Sequence, residues 1–328
     1  MSMKPISTLA AAALLSFAPL TASALGAPQL SSVWQVSSET NTIYLAGAVP
    51  FLRESDLPLP AQFRRAYKAS RRLVFEVDPE ESKDEVRGQQ TILMGMFTDG
   101  GSIRDQVSDE TYEKLGDFLH ASGAPRVGMD QLRPWFAAVM ITMTEMMKEG
   151  MRPDLGVGEI IEGWALKDGR EISGLERMEV EIEILAALPE AAHEYMLAEA
   201  LEDVSDMEEL GREFERLILA WREGDVGTLE EIDTEEAGNE WDELMDKKLY
   251  RERSAKWLAE LEAALGGQEP TMYVVGLAHL LGEGNLRAAL EGKGYRVEQL
   301  ELRKGERKKK RARDRKPKKP ALIPVLSP

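Results

Sequence analysis

Glu76, Glu176 and His279 are the side chains whose types and positions suit hydrolytic or ligand-binding chemistry. Each sits within or just beyond a strand-like run: Leu73-Val-Phe-Glu-Val-Asp78, Arg170-Glu-Ile-Ser-Gly-Leu175 and Thr271-Met-Tyr-Val-Val-Gly276. A fourth run, Thr42-Ile-Tyr-Leu-Ala-Gly47, leads into Ala48-Val49-Pro50. Open α/β sheets collect their ligands outside the carboxyl ends of the strands. If these strands are parallel neighbours, the two carboxylates and the imidazole meet on one rim. Such a set can hold a divalent metal with positions left for water, and a further carboxylate can act as base.

Each residue also has a purely structural explanation. Glu76 lies inside a hydrophobic strand, where an unpaired charge costs several kcal/mol, so it needs either a cleft or a partner such as Arg71 or Arg72. Glu176 can be an acid at a helix N-terminus, and His279 a helix-start histidine satisfied by its surroundings. The other two histidines, His120 and His193, lie in amphipathic helical stretches without a matching acid or Gly motif and read as surface or core residues. Met140, Met143, Met147 and Met151 recur at helical spacing and are expected to pack in the core. With no cysteine in the chain, a disulfide scaffold, a Cys-ligated zinc and thiol catalysis are all excluded.

The elements that position these residues follow from pattern. Val33–Val36 and Thr42–Gly47 read as strands joined by a polar turn, and Pro58–Ala69 as a helix. Ser108 caps a helix that stops at Gly123, and further helices are expected over 134–150 and 156–167. From Met178 to Leu265 the chain is almost wholly amphipathic, acidic helix. Thr271–Gly276, a helix over 283–292 and Tyr295–Leu302 then close a β-α-β unit. Strands at both ends with a helical insertion at about 178–265 predict an α/β fold, a mixed or parallel central sheet flanked by helices.

Two segments stand apart from that domain, which spans residues 25–302. Lys4, an apolar run from Ile6 to Ala22 and the small-x-small Ala22-Ser-Ala24 have the form of an export signal cleaved near Ala24, so the product is expected in a periplasm or outside the cell. Residues 303–319 hold twelve Lys and Arg against two acids, followed by prolines, and residues 303–328 are expected to be disordered. This tail suits an anionic membrane surface or envelope polymer, at about 1 kcal/mol per basic residue close to such a membrane. Residues 25–302 carry 28 basic and 56 acidic side chains, an excess that repels nucleic acid from the body.

Nine short motifs occur in a telling order: Val33-Trp34, Gly47-Ala-Val-Pro50, Leu57-Pro58, Phe75-Glu76-Val-Asp78, Arg133-Pro134-Trp135, Gly174-Leu175-Glu176, Trp221-Arg-Glu-Gly224-Asp225, Gly276-Leu-Ala-His279 and Gly294-Tyr295-Arg-Val297. This succession, over roughly residues 30–302, resembles the TraB/GumN family, related to the TIKI metalloproteases. The resemblance implies peptide-bond hydrolysis with Mn²⁺, Co²⁺ or Zn²⁺ on Glu76 and His279, and Glu176 as ligand or general base. Carried across position by position, the ligand set is Pro50, Glu76, Glu176 and His279. Pro50 replaces the histidine of the first Gly-x-x-His and has no side-chain donor. Losing a ligand should weaken metal affinity by orders of magnitude, because supporting residues alone are worth roughly 10- to 100-fold. Gly158 stands where the family tends to have Asp, and Asp78 is a candidate replacement ligand. Two readings remain: an impaired member that binds a peptide, glycan or protein partner in the family cleft, or a metal-dependent hydrolase.

Overall fold

The computed structural model describes residues 29–236 and 238–303. The expected export signal and the basic tail beyond Arg303 lie outside the described residues. Six strands form one sheet: β1 (Val33–Ser37), β2 (Thr42–Ala48), β3 (Arg72–Val77), β4 (Ile172–Glu176), β5 (Thr271–Gly276) and β6 (Arg296–Gln299). Their order is β4-β3-β5-β2-β1-β6. The pairs β3–β4, β3–β5 and β2–β5 are parallel, whereas β1 runs antiparallel to both β2 and β6. The hairpin between β1 and β2 closes because Ser38 Oγ accepts from the Asn41 amide at 3.0 Å, fixing the polar turn.

The parallel block places four carboxyl ends side by side. Val77 pairs with Glu176, and Ala48 with Gly276. Alternation along the strands then decides which face each side chain meets. On one face Leu73, Phe75, Met272 and Val274 join Phe63, Tyr67, Val157, Ile161 and Trp221. On the other, Val74, Tyr273, Val275, Ile43 and Leu45 pack against Trp257, Leu261 and Leu265 of the helix Glu252–Gly266. Burying each of those three is worth about 1.5–3 kcal/mol. Glu76 shares the parity of Val74 and so points toward that helix.

Helices account for the acidic stretch between β4 and β5, from Glu179 to Gly266. The helix Asp109–Ser122 starts at Ser108, whose Oγ accepts from the Thr111 amide at 3.3 Å, and ends at Gly123 with φ +71°. The methionine stripe corrects its expectation. In the helix Pro134–Lys148 the buried face is Trp135, Ala137, Ala138 and Ile141, with Leu197, Ala200 and Leu201 opposite the alanine side. Small alanines let the two helices approach, which turns Met140 and Met147 outward to solvent, leaving Met151 as the buried member. Among the described residues no helix is long and apolar enough to cross a membrane.

Candidate functional site

Glu76, Glu176 and His279 do meet on the rim formed by β3, β4 and β5, and a fourth residue joins them. Arg253, 2 % exposed, projects from the first turn of the Glu252–Gly266 helix. Its Nη2 lies 2.8 Å from Glu76 Oε2 and 2.7 Å from Glu176 Oε1, and its Nε donates to Glu176 Oε1 at 2.9 Å. Nη1 donates to the Leu249 carbonyl at 2.8 Å and lies 3.5 Å from Glu181 Oε2. The remaining Glu176 oxygen accepts from Trp257 Nε1 at 3.1 Å. Glu76 Oε1 accepts the Gly276 amide, and a Cβ at that position would stand 3.0 Å from the same oxygen, close enough to push the carboxylate back.

His279 is 1 % exposed. Its ring packs 4.3 Å from Trp257 and edge-on, 5.4 Å, against Tyr250. Nδ1 is 2.9 Å from Ser254 Oγ, and Nε2 is 3.7 Å from Glu76 Oε1, too far for a hydrogen bond. Burial, followed by the Arg253 charge, pushes the His279 pKa down to about 3 against a hydrogen bond to the Tyr250 backbone, so the imidazole is neutral. Burial raises the Glu76 pKa; Arg253 and the Gly276 amide oppose that rise, and Glu181 and Glu176 add to it. Serine, histidine and glutamate are thus in sequence, but Ser254 is buried beneath the ring and offers no exposed nucleophile.

A six-residue π-helical turn, Asp246–Arg251, precedes this helix. It carries Tyr250 onto His279. From the helix that follows, Arg253, Ser254 and Trp257 face the strand ends; π-turns recur at functional sites.

The comparisons with known proteins agree with the ordered motifs. A profile of the TraB/PrgY/gumN family matches residues 32–299. The chain belongs to the TraB/PrgY/gumN family. No curated protein and no solved structure matches it.

Within this family member three expectations need correction. The partner of Glu76 is Arg253 rather than Arg71 or Arg72; Arg72 instead lies 3.8 Å from Glu260. Glu176 is the last residue of β4, not the first acid of a helix. Asp78 leaves the site: just past β3, its Oδ1 caps the next helix by accepting the Glu80 amide at 2.9 Å. Pro50 is exposed two residues beyond β2, its carbonyl 2.6 Å from where a Gly156 Cβ would stand. Gly158 faces Phe75, whose Cε1 would lie 3.8 Å from its Cβ.

This donor set does not fit the divalent ion that the family resemblance implies. Both Glu176 oxygens and both Glu76 oxygens are engaged by fixed donors, and Pro50 supplies none. Among the described residues no group of three or more His, Cys, Asp or Glu is placed to hold a metal. The cation between the carboxylates is the guanidinium of Arg253. Two carboxylates against one guanidinium leave the rim net negative, with Glu181, its side chain 53 % exposed, adding to it.

Sequence reasoning passed over Arg253, Ser254, Trp257 and Tyr250. One signal was present: Lys247, Lys248, Arg251, Arg253 and Lys256 form a basic cluster inside the most acidic part of the chain.

Proposed function

We propose that this TraB/PrgY/gumN-family protein is an impaired member that binds a partner at the rim instead of hydrolysing it. The partner is a peptide, a glycan or another protein. The carrying observation is the Arg253 bridge: Nη2 within 2.8 Å of a Glu76 oxygen and 2.7 Å of a Glu176 oxygen takes the donors that a catalytic metal needs. Glu76, its side chain 20 % exposed, and Glu181 are the acids a partner reaches. They favour ligands that present hydrogen-bond donors or positive charge. Export to a periplasm or beyond the cell belongs to the same reading, supported by the signal-like residues 1–24.

A second reading, a metal-dependent peptidase of Glu76, Glu176 and His279, is favoured by the neutral imidazole, whose Nε2 lies 3.7 Å from Glu76 Oε1. Casein hydrolysis with added Zn²⁺, Mn²⁺ or Co²⁺ separates the two, using the wild type, Pro50→His and His279→Ala. The proposal expects no metal-dependent cleavage by the wild type or by Pro50→His. Cleavage by the wild type that His279→Ala abolishes would establish the peptidase instead.

A further inference from the structure

We propose that a groove over the helix Ala61–Ala69, sharing no residue with the rim, binds a single-chain amphiphile with an anionic head. Its volume is about 720 Å³, within the roughly 300–1,000 Å³ of small-molecule sites. Leu30, Leu59, Ala61 and Leu302 give it apolar walls that suit a hydrocarbon chain.

Charge selects the head. Among the described residues, Arg64, Arg65, Lys68, Arg222 and Arg303 line the groove, and no Asp or Glu does. The surrounding body has twice as many acids as bases, so this cationic rim runs against the rest of the molecule. Arg64 stacks on Trp164, its Cζ 4.4 Å from the ring centroid, and on Tyr67 at 5.3 Å. Neither Arg64 nor Lys68 forms an ion pair among the described residues. Arg65 Nη2 donates to the Glu301 carbonyl at 2.7 Å, and Arg222 donates to the Asp56 and Pro58 carbonyls, which orients both guanidinium groups.

Titration of the full chain with oleoyl-lysophosphatidate below its micelle concentration, followed by calorimetry and by tryptophan fluorescence, tests this. Saturable binding is expected, weakened about tenfold in Arg64→Glu/Lys68→Glu. Lys68→Glu alone, at an exposed position, weakens it less, and its unchanged melting temperature controls for folding. Oleate binding as tightly as lysophosphatidate would support the site with a carboxylate head, whereas preference for lysophosphatidate would assign the hydroxylated phosphate head. The proposal is overturned by no saturable binding, by equal binding of neutral monooleoylglycerol, by equal binding of inorganic phosphate alone, or by indifference to the charge reversals.

Discussion

Replacing Arg253 with methionine removes the one positive charge between Glu76 and Glu176 while keeping much of the side-chain volume. The guanidinium is 2 % exposed and makes contacts of 2.8 and 2.7 Å to the two carboxylates. Removing one partner of such a buried pair costs about 3–5 kcal/mol, because the other charges are left uncompensated. At roughly 2–4 °C per kcal/mol for a large domain, that is a fall of about 6–20 °C in melting temperature. The effect carries a pH signature. Burial already raises the Glu76 pKa in the folded protein, and the Arg253 charge is the strongest effect opposing that rise. Without it the folded state holds a proton that the unfolded chain releases near pH 4.3, so variant stability falls as pH rises above that value. Thermal unfolding of both proteins at pH 5 and pH 8 reads the difference: a small gap at pH 5 and the full gap at pH 8. The triple variant Arg253→Met/Glu76→Gln/Glu176→Gln should recover most of the loss at pH 8. A gap below about 1 kcal/mol at pH 8, or one equal at both pH values, would refute a buried, charge-compensating bridge.

Further outcomes follow from the geometry of the site and, for the tail, from its sequence charge. Gly276→Ala places a Cβ 3.0 Å from Glu76 Oε1; it should lower the melting temperature by a few degrees, for about 1–2 kcal/mol, and Glu76→Ala/Gly276→Ala should lose less than the two single changes added. His279 carries a folded pKa of about 3, below its unfolded value of 6.5. The unfolded chain therefore binds the extra proton, and this residue's contribution to stability is lost as pH falls from about 6.5 toward 3. His279→Gln should flatten that acid-side slope, and an imidazole titrating near 6.5 by NMR would contradict the neutral ring. Deleting residues 303–328 should weaken binding to anionic vesicles and remove most of its salt dependence; unchanged binding in sedimentation would take the tail out of membrane attachment.

Much of the fold is legible in the sequence because the strands are short, β-branched runs that stop at polar or turn-forming residues. That pattern places Glu76, Glu176 and His279 at strand ends, and parallel pairing of β4, β3 and β5 brings them onto one rim. Arg253 was not legible in the same way. It lies 177 residues from Glu76, in a stretch whose amphipathic pattern announces a helix but not which strand end it meets. Asp78 shows the opposite failure. Strand alternation puts it on the face of Glu76, but the Pro79 that follows starts a helix, and the carboxylate serves as its cap. The methionine stripe has helical spacing, as does the neighbouring face of small residues, and close helix packing selects the alanines. Hydrophobic size alone could not decide between those faces.

We propose that Arg253, rather than a metal, holds the rim together. Calorimetric titration of the full chain with Zn²⁺ and with Mn²⁺, comparing wild type with His279→Ala, tests it most directly. No site tighter than roughly millimolar, about −4 kcal/mol, is expected in either protein. A single tight site in the wild type that disappears in His279→Ala would contradict it and return the rim to metal chemistry.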